Sequence, residues 1–141
     1  MNLFECKIRC EKVAENGLTK SVTEQYLIDA LSFTEAEARI IEQMQPYITG
    51  EFLVTDIKRV SYEEVLFNDN EVADKWFKCK LVFITIDERT GAEKKTSSII
   101  LVQASDINEA VKKIDECMKA VEYRQLEVRE TAIIDVFIYK K

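Results

Sequence analysis

YLIDALSFTEAEARIIEQM (residues 26–44) and ILVQASDINEAVKKIDECM (residues 100–118) are two versions of one stretch, displaced by 74 positions. Seven of the nineteen pairs are identical: Leu27/Leu101, Ala30/Ala104, Glu35/Glu109, Ala36/Ala110, Ile40/Ile114, Glu42/Glu116 and Met44/Met118. Ile28/Val102, Phe33/Ile107 and Arg39/Lys113 are conservative replacements. The match runs outward at the same offset to Gly17/Gly91 and Lys20/Lys94, and at 73 to Phe4-Glu5-Cys6-Lys7 against Phe77-Lys78-Cys79-Lys80, which implies one inserted residue in the second copy. Beyond the central stretch, Phe52 and Val54 fall on Leu126 and Val128. Self-similarity at a fixed period marks repeated supersecondary units, and two copies account for almost the whole chain, as residues 1–70 and 71–141.

Each copy reads as hairpin, helix, strand. Phe4, Cys6, Ile8 and Cys10 alternate with Glu5, Lys7, Arg9 and Glu11, the period of a strand with one buried face. Glu15-Asn16-Gly17 supplies a turn, and Val22 to Ala30 returns as the second strand. The second copy has Trp76 to Asp87, Thr90-Gly91 at the tip, and Lys95 to Ala104. Ser32 with Glu35, and Asp106 with Glu109, match an N-cap followed by an acidic residue three positions on. The helices that follow present Phe33, Ala36, Ile40, Ile41 and Met44, and Ile107, Ala110, Val111, Ile114, Cys117, Met118 and Val121, on one face. Gln45-Pro46 ends the first helix. Third strands are expected at Glu51 to Lys58 and Arg124 to Thr131. The extended segments beyond, 60–67 and 132–139, continue those strands or form separate ones, and Asn68 to Glu71 is the polar break between copies.

The fold class is therefore α+β: a tandem repeat of two β-β-α-β(β) units. A unit of about 70 residues has a marginal core, so the two copies are expected to pack about a pseudo-twofold axis as one compact domain. They would share a sheet with both helices on one side, or set two sheets face to face. The strand from Trp76, apolar on both faces, is expected at a sheet centre. The last strand, with Ile134, Val136 and Ile138 opposite Ile133, Phe137 and Tyr139, reads as central or covered by a partner subunit.

Composition narrows the chemistry. The 141 residues are 47% hydrophobic and 33% charged, with three glycines, one proline and no histidine. Disorder and collagen-like repeats are excluded. Without histidine, Ser-His-Asp, Cys-His and His-containing zinc sites are excluded too. No phosphate-cradling glycine loop can be assembled from Gly17, Gly50 and Gly91. Apolar runs reach only four residues, as in Ile99 to Val102, so no membrane span is expected. Met1 to Lys7 lacks a basic stretch followed by an apolar one, and the four cysteines contain no C-x-x-C pair. A cytoplasmic protein with reduced thiols is expected. Cys6 and Cys10 share a strand face, but small buried core residues explain them better than a thiolate metal site.

The net charge of −6 rules out a general positive field but leaves room for a local patch. The repeat places Lys7 and Arg9 on the outer face of one first strand and Lys78 and Lys80 on that of the other. Lys12, Lys20, Lys94 and Lys95 stand at the hairpin ends, where they extend such a patch, and Tyr26 and Trp76 are the candidate aromatic contacts. Such a face suits a phosphate-bearing ligand, a nucleotide or single-stranded nucleic acid. The alternative is a merely solvated face with Glu5 and Glu11 as cross-strand partners. Glu35 and Glu109 are accounted for by capping, and the acidic residues from Glu63 to Asp74 lack calcium-loop spacing.

Over Val22 to Ala38, together with Phe4-x-Cys6-Lys7, the chain resembles a domain-of-unknown-function family of gut bacteria and their phages, along nearly its full length. The resemblance implies a small intracellular protein and transfers no catalytic residue. Two strand-rich units with one helix each are also similar to the tandem units of Pur-alpha and Whirly single-strand binders. Those run four strands and then a helix, which fits here only from Glu51 through Ala104, and their basic faces contrast with the acidic total. The expectation is a non-enzymatic binding or accessory protein without cofactor or metal. It would act through a surface or an inter-repeat groove on a protein partner or a small anionic, nucleotide-like ligand. The alternative is a single-stranded nucleic-acid binder using the basic face. A monomer and a homo-oligomer are both compatible with the sequence.

Overall fold

Alternation along Phe4, Cys6, Ile8 and Cys10 buries all four side chains while Lys7 and Arg9 between them stay exposed. In the computed structural model, which describes residues 2–119 and 122–139, this strand is β1 (Asn2–Val13). It turns through Gly17, whose φ of +80° is costly for any residue with a Cβ, into β2 (Thr19–Ala30). Ser32 caps α1 (Phe33–Met44), and β3 (Phe52–Val60) and β4 (Glu64–Leu66) follow. The sequence then repeats as β5 (Lys75–Ile86), β6 (Glu93–Ala104), α2 (Ile107–Cys117), β7 (Tyr123–Glu130) and β8 (Ile133–Phe137). Val121, expected on the face of α2, lies outside the described residues.

These two helices and eight strands, among the described residues, make an α+β fold with two separate four-stranded sheets rather than one shared sheet. The orders are β3-β1-β2-β8 and β4-β6-β5-β7. Each is antiparallel except for one outer pair: β8 runs parallel to β2, and β4 runs parallel to β6. Both extended segments after the third strands are thus short strands of their own. Each pairs with the sheet of the other copy. Two compact units result, Met1–Ser61 with Ala132–Lys141, and Tyr62–Thr131. They therefore do not coincide with the sequence halves 1–70 and 71–141.

Within the first unit, the helix-side face of the sheet buries Phe4, Cys6, Ile8, Tyr26, Ile28 and Ala30 against Ala36, Ile40 and Met44. In the second, Phe77, Cys79, Leu81, Ile100, Val102 and Ala104 meet Ala110 and Ile114. Each fully buried Ile, Leu or Phe contributes about 1.5–3 kcal/mol. The leading residues of the expected helix faces are less covered: Phe33 is 53% and Ile107 47% exposed, because each opens its helix at the end of the core. As expected, β5 is central. The last strand is not. β8 is an edge strand, on which Ile134 is exposed while Ile133 and Val136 are buried, and Ile138 just beyond it is exposed as well.

Several details recur between the units. The β1–β3 register breaks between Lys7 and Ile8, and the β5–β7 register between Lys80 and Leu81, the matching pair. The second hairpin holds one more residue, closing with Asp87 N–H to Ala92 C=O where the first closes with Ala14 N–H to Leu18 C=O. After the helices the correspondence shifts. Cys6 faces Ile57 and Cys79 faces Val128, so Ile57 and Val128 are equivalent at an offset of 71, not Val54 and Val128 at 74. The cause is length: α2 has 11 residues against 12 in α1, and its connection to the next strand is shorter.

Candidate functional site

Cross-strand register decides which charges share a face, because a strand sends successive side chains to opposite sides. On the second sheet, the face away from α2 carries Trp76, Lys78, Lys80, Val82 and Ile84 from β5. Register adds Arg129 opposite Lys78, Glu127 opposite Lys80 and Arg124 opposite Val82 from β7. From β6 it adds Leu101 opposite Lys78, Ile99 opposite Lys80 and Lys95 opposite Ile84, with Glu93 at the end opposite Ile86. Ile84 N–H also donates to Glu122 C=O just before β7, which places Glu122 opposite Ile84. Among the described residues five cations, Lys78, Lys80, Lys95, Arg124 and Arg129, thus share one face with three carboxylates, Glu93, Glu122 and Glu127. Four of the five are exposed, and Lys78 is half-buried. Arg129 Nε reaches Glu127 Oε1 at 3.2 Å, an exposed pair of the kind worth no more than about 1 kcal/mol.

The corresponding face of the first sheet is different. Lys7 and Arg9 are exposed as expected, but Asp56 stands opposite Lys7 and Lys58 opposite Glu5. With Glu11 on the same face, three cations meet three carboxylates. Arg9 is further engaged, its Nε donating to Ser21 Oγ at 3.0 Å. A groove of about 550 Å³ beside Arg9 includes Glu11 and Glu51 in its lining, so its electrostatics are mixed as well.

The remaining candidates do not join this surface. Lys20 lies opposite Lys12, at register positions of the helix-side face, and Lys94 lies opposite Thr85 on the equivalent side. Both are exposed hairpin residues, turned from the face that holds Lys7 or Lys80. Tyr26 is buried in the first core, stacked on Phe137 with ring centroids 5.8 Å apart. Its hydroxyl donates to Glu24 Oε1 at 3.3 Å, and burial, then the Glu24 charge, raise its pKa. Trp76 shares the basic face by register but is only 1% exposed, with Phe67 edge-on at 5.3 Å. Neither ring offers a stacking surface, so the expected aromatic contacts are corrected to core residues.

Lys78 and Lys80 were legible because β5 alternates from Trp76 onward. Arg124 and Arg129 were not, since their side of β7 depends on the register break at Lys80/Leu81. Of the four hairpin-end lysines, Lys95 is put on this face by its pairing with Ile84.

The carboxylates and thiols considered for chemistry have structural occupations. Glu35 N–H donates to Ser32 Oγ at 3.1 Å and Glu35 Oε1 accepts from Leu31 N–H at 2.9 Å. Glu109 repeats this with Asp106 and Ser105, at 2.8 and 2.7 Å. It also accepts from the side-chain amides of Asn68 and Asn70, at 3.2 and 2.9 Å. The Ser105 N–H first and the Asn70 amide next hold the Glu109 carboxyl below its usual pKa. Cys6 and Cys79 are fully buried, and burial pushes both thiols up to about 12, with the Glu5 and Asp56 charges adding at Cys6. Among the described residues no cluster of three Cys, Asp or Glu side chains has metal-binding geometry. None of the helices described is long and apolar enough to cross a membrane.

No curated protein and no solved structure matches the chain. One family model does, that of a domain of unknown function, DUF4494, and it spans residues 2–139. With nearly the whole chain matched, the protein belongs to the DUF4494 family.

Proposed function

We propose that this chain is a non-catalytic binding protein whose ligand is anionic and rests on the outer face of the second sheet. One observation carries the reading: among the described residues Lys78, Lys80, Lys95, Arg124 and Arg129 outnumber Glu93, Glu122 and Glu127 on that face by five to three, although the chain as a whole is acidic. Concentrating cations on one face of a protein with net charge −6 creates a local attraction for anions that the overall charge would otherwise oppose. The non-catalytic part is supported by the capping duties of Glu35 and Glu109 and by the buried, hard-to-ionise Cys6 and Cys79. Four free thiols accord with a cytoplasmic setting, which belongs to the same proposal. So does an accessory role in a gut bacterium or its phage, which rests on the resemblance over residues 22–38.

The test is fluorescence anisotropy with labelled polyglutamate and labelled single-stranded oligothymidylate, at low and high salt. We expect binding that weakens steeply with salt. Lys80→Glu with Arg129→Glu should weaken it by about tenfold or more, while Lys7→Glu with Arg9→Glu leaves it within about twofold. Equal loss from the two pairs, or no salt-dependent binding of either probe, would overturn the proposal.

A further inference from the structure

Each of four cations on the basic face has an aliphatic residue directly across from it on a neighbouring strand. Lys78 faces Leu101, Lys80 faces Ile99, and Lys95 faces Ile84. Arg124 faces Val82. Leu101 is fully buried, whereas Val82, Ile84 and Ile99 are half-buried and reach the surface between the charges. Rows on a strand repeat every second residue, about 7 Å, and adjacent strands lie about 4.8 Å apart. The surface is therefore a fine alternation of cationic and apolar points. It is not a continuous basic stripe.

That pattern selects among anions. A nucleic-acid strand would need stacking surfaces between its phosphates. At the outer positions of β5, β6 and β7 the single aromatic is Trp76, which is 1% exposed, and Phe67, 49% exposed and edge-on against it, adds one ring beyond the end of β4, too few to stack successive bases. A small phosphate would want converging donors, but the cations are spread over three strands. An acidic protein segment with interspersed aliphatic residues matches both components. Its carboxylates would meet Lys80, Lys95 and Arg124 while its apolar side chains cover Val82, Ile84 and Ile99.

Resting on the basic-face reading above, we infer that the ligand of the second sheet is an acidic protein segment carrying apolar residues among its carboxylates. The partner would lie across the face. Adding a strand at the β7 edge is less suited, because the register break opposite Lys80/Leu81 interrupts the regular ladder there.

The test uses the full chain and three labelled probes of equal charge: a peptide of glutamates interspersed with leucines, polyglutamate, and single-stranded oligothymidylate. The mixed peptide is expected to bind wild-type protein about tenfold more tightly than polyglutamate, with oligothymidylate no tighter than polyglutamate. Val82→Thr with Ile99→Thr should erase the advantage of the mixed peptide and leave polyglutamate unchanged. The wild-type comparison stands even if that variant misfolds. Polyglutamate or oligothymidylate binding as tightly as the mixed peptide would overturn this inference and leave the basic-face reading intact. Failure of all three probes to bind would overturn both.

Discussion

Asp29 Oδ1 accepts a hydrogen bond from the backbone N–H of Tyr139 at 2.7 Å, across 110 residues of sequence. Asp29 is 2% exposed at the end of β2, and Tyr139 follows β8, so this bond secures the returning strand beside its parallel neighbour. Arg39 completes the arrangement. Its Nη1 donates to the Asp29 carbonyl at 2.7 Å and lies 3.6 Å from Asp29 Oδ1, while its guanidinium sits 4.3 Å from the centre of the Tyr139 ring. The second unit has the same bond in neutral form, from Asn68 N–H to Gln103 Oε1 at 3.0 Å. Gln103 occupies the position equivalent to Asp29, 74 residues on.

Asp29→Ala leaves the Tyr139 N–H without its acceptor and reduces the carboxylates beside the partly buried Arg39 guanidinium from two to one, Glu35 at 3.3 Å. We expect a loss of about 2–3 kcal/mol in urea unfolding and faster hydrogen exchange through β8. Asp29→Asn keeps an acceptor oxygen and should lose less. Equal losses would mean that the charge, and not the bond to Tyr139, holds β8.

Ser32→Ala and Asp106→Ala each remove the side-chain acceptor for an N3 amide. Each should cost about 1 kcal/mol, read as a shift of urea midpoint at unchanged slope. The two sites belong to different units, with no partner in common, and the double variant should show a nearly additive loss.

Glu109 supplies a pH dependence of definite sign. Its folded pKa lies below the usual 4.5, chiefly through the Ser105 N–H and then the Asn70 amide. A depressed carboxylate contributes stability that is fully present above the unfolded-state value and is lost as pH falls through the folded one. Unfolding measured from neutrality into acid should therefore show wild type above Glu109→Gln at neutral pH, with the two curves converging at low pH. Divergence on acidification would contradict the assignment.

Thiol chemistry should separate the cysteines. Cys6 and Cys79 are 0% exposed with pKa values pushed up to about 12, Cys10 is 3% exposed, and Cys117 is exposed. With a thiol-reactive chromophore, one sulfur should react rapidly in native protein and all four in denaturant. Cys117→Ser should abolish the rapid phase.

The sequence carried the local structure well because its signals are local. Alternation at Phe4 to Glu11, the turn glycines Gly17 and Gly91, and the caps at Ser32 and Asp106 each act within a few residues. What it could not carry was the destination of the short strands. β4 has three residues and pairs with Ile100 to Val102, and nothing within Glu64 to Leu66 distinguishes that neighbour from its equivalent at Tyr26 to Ile28. The basic face was half legible for the same reason. Lys78 and Lys80 follow from the period of one strand, while Lys95, Arg124 and Arg129 join them only through pairing. Tyr26 and Trp76 looked available because residue type does not report cover: Phe137 reaches Tyr26 from the far end of the chain, and Phe67 folds back onto Trp76 across the polar break between the copies.

The central claim is that an anionic ligand rests on the outer face of the second sheet. Titrating isotope-labelled protein with the glutamate–leucine peptide, while following backbone amide resonances, tests it most directly. The expected result is a contiguous set of shifts on β5, the end of β6 and β7, centred on Lys80 and Arg124, with Lys7 and Arg9 unmoved. Shifts centred on Lys7 and Arg9, or on the helices, would contradict it.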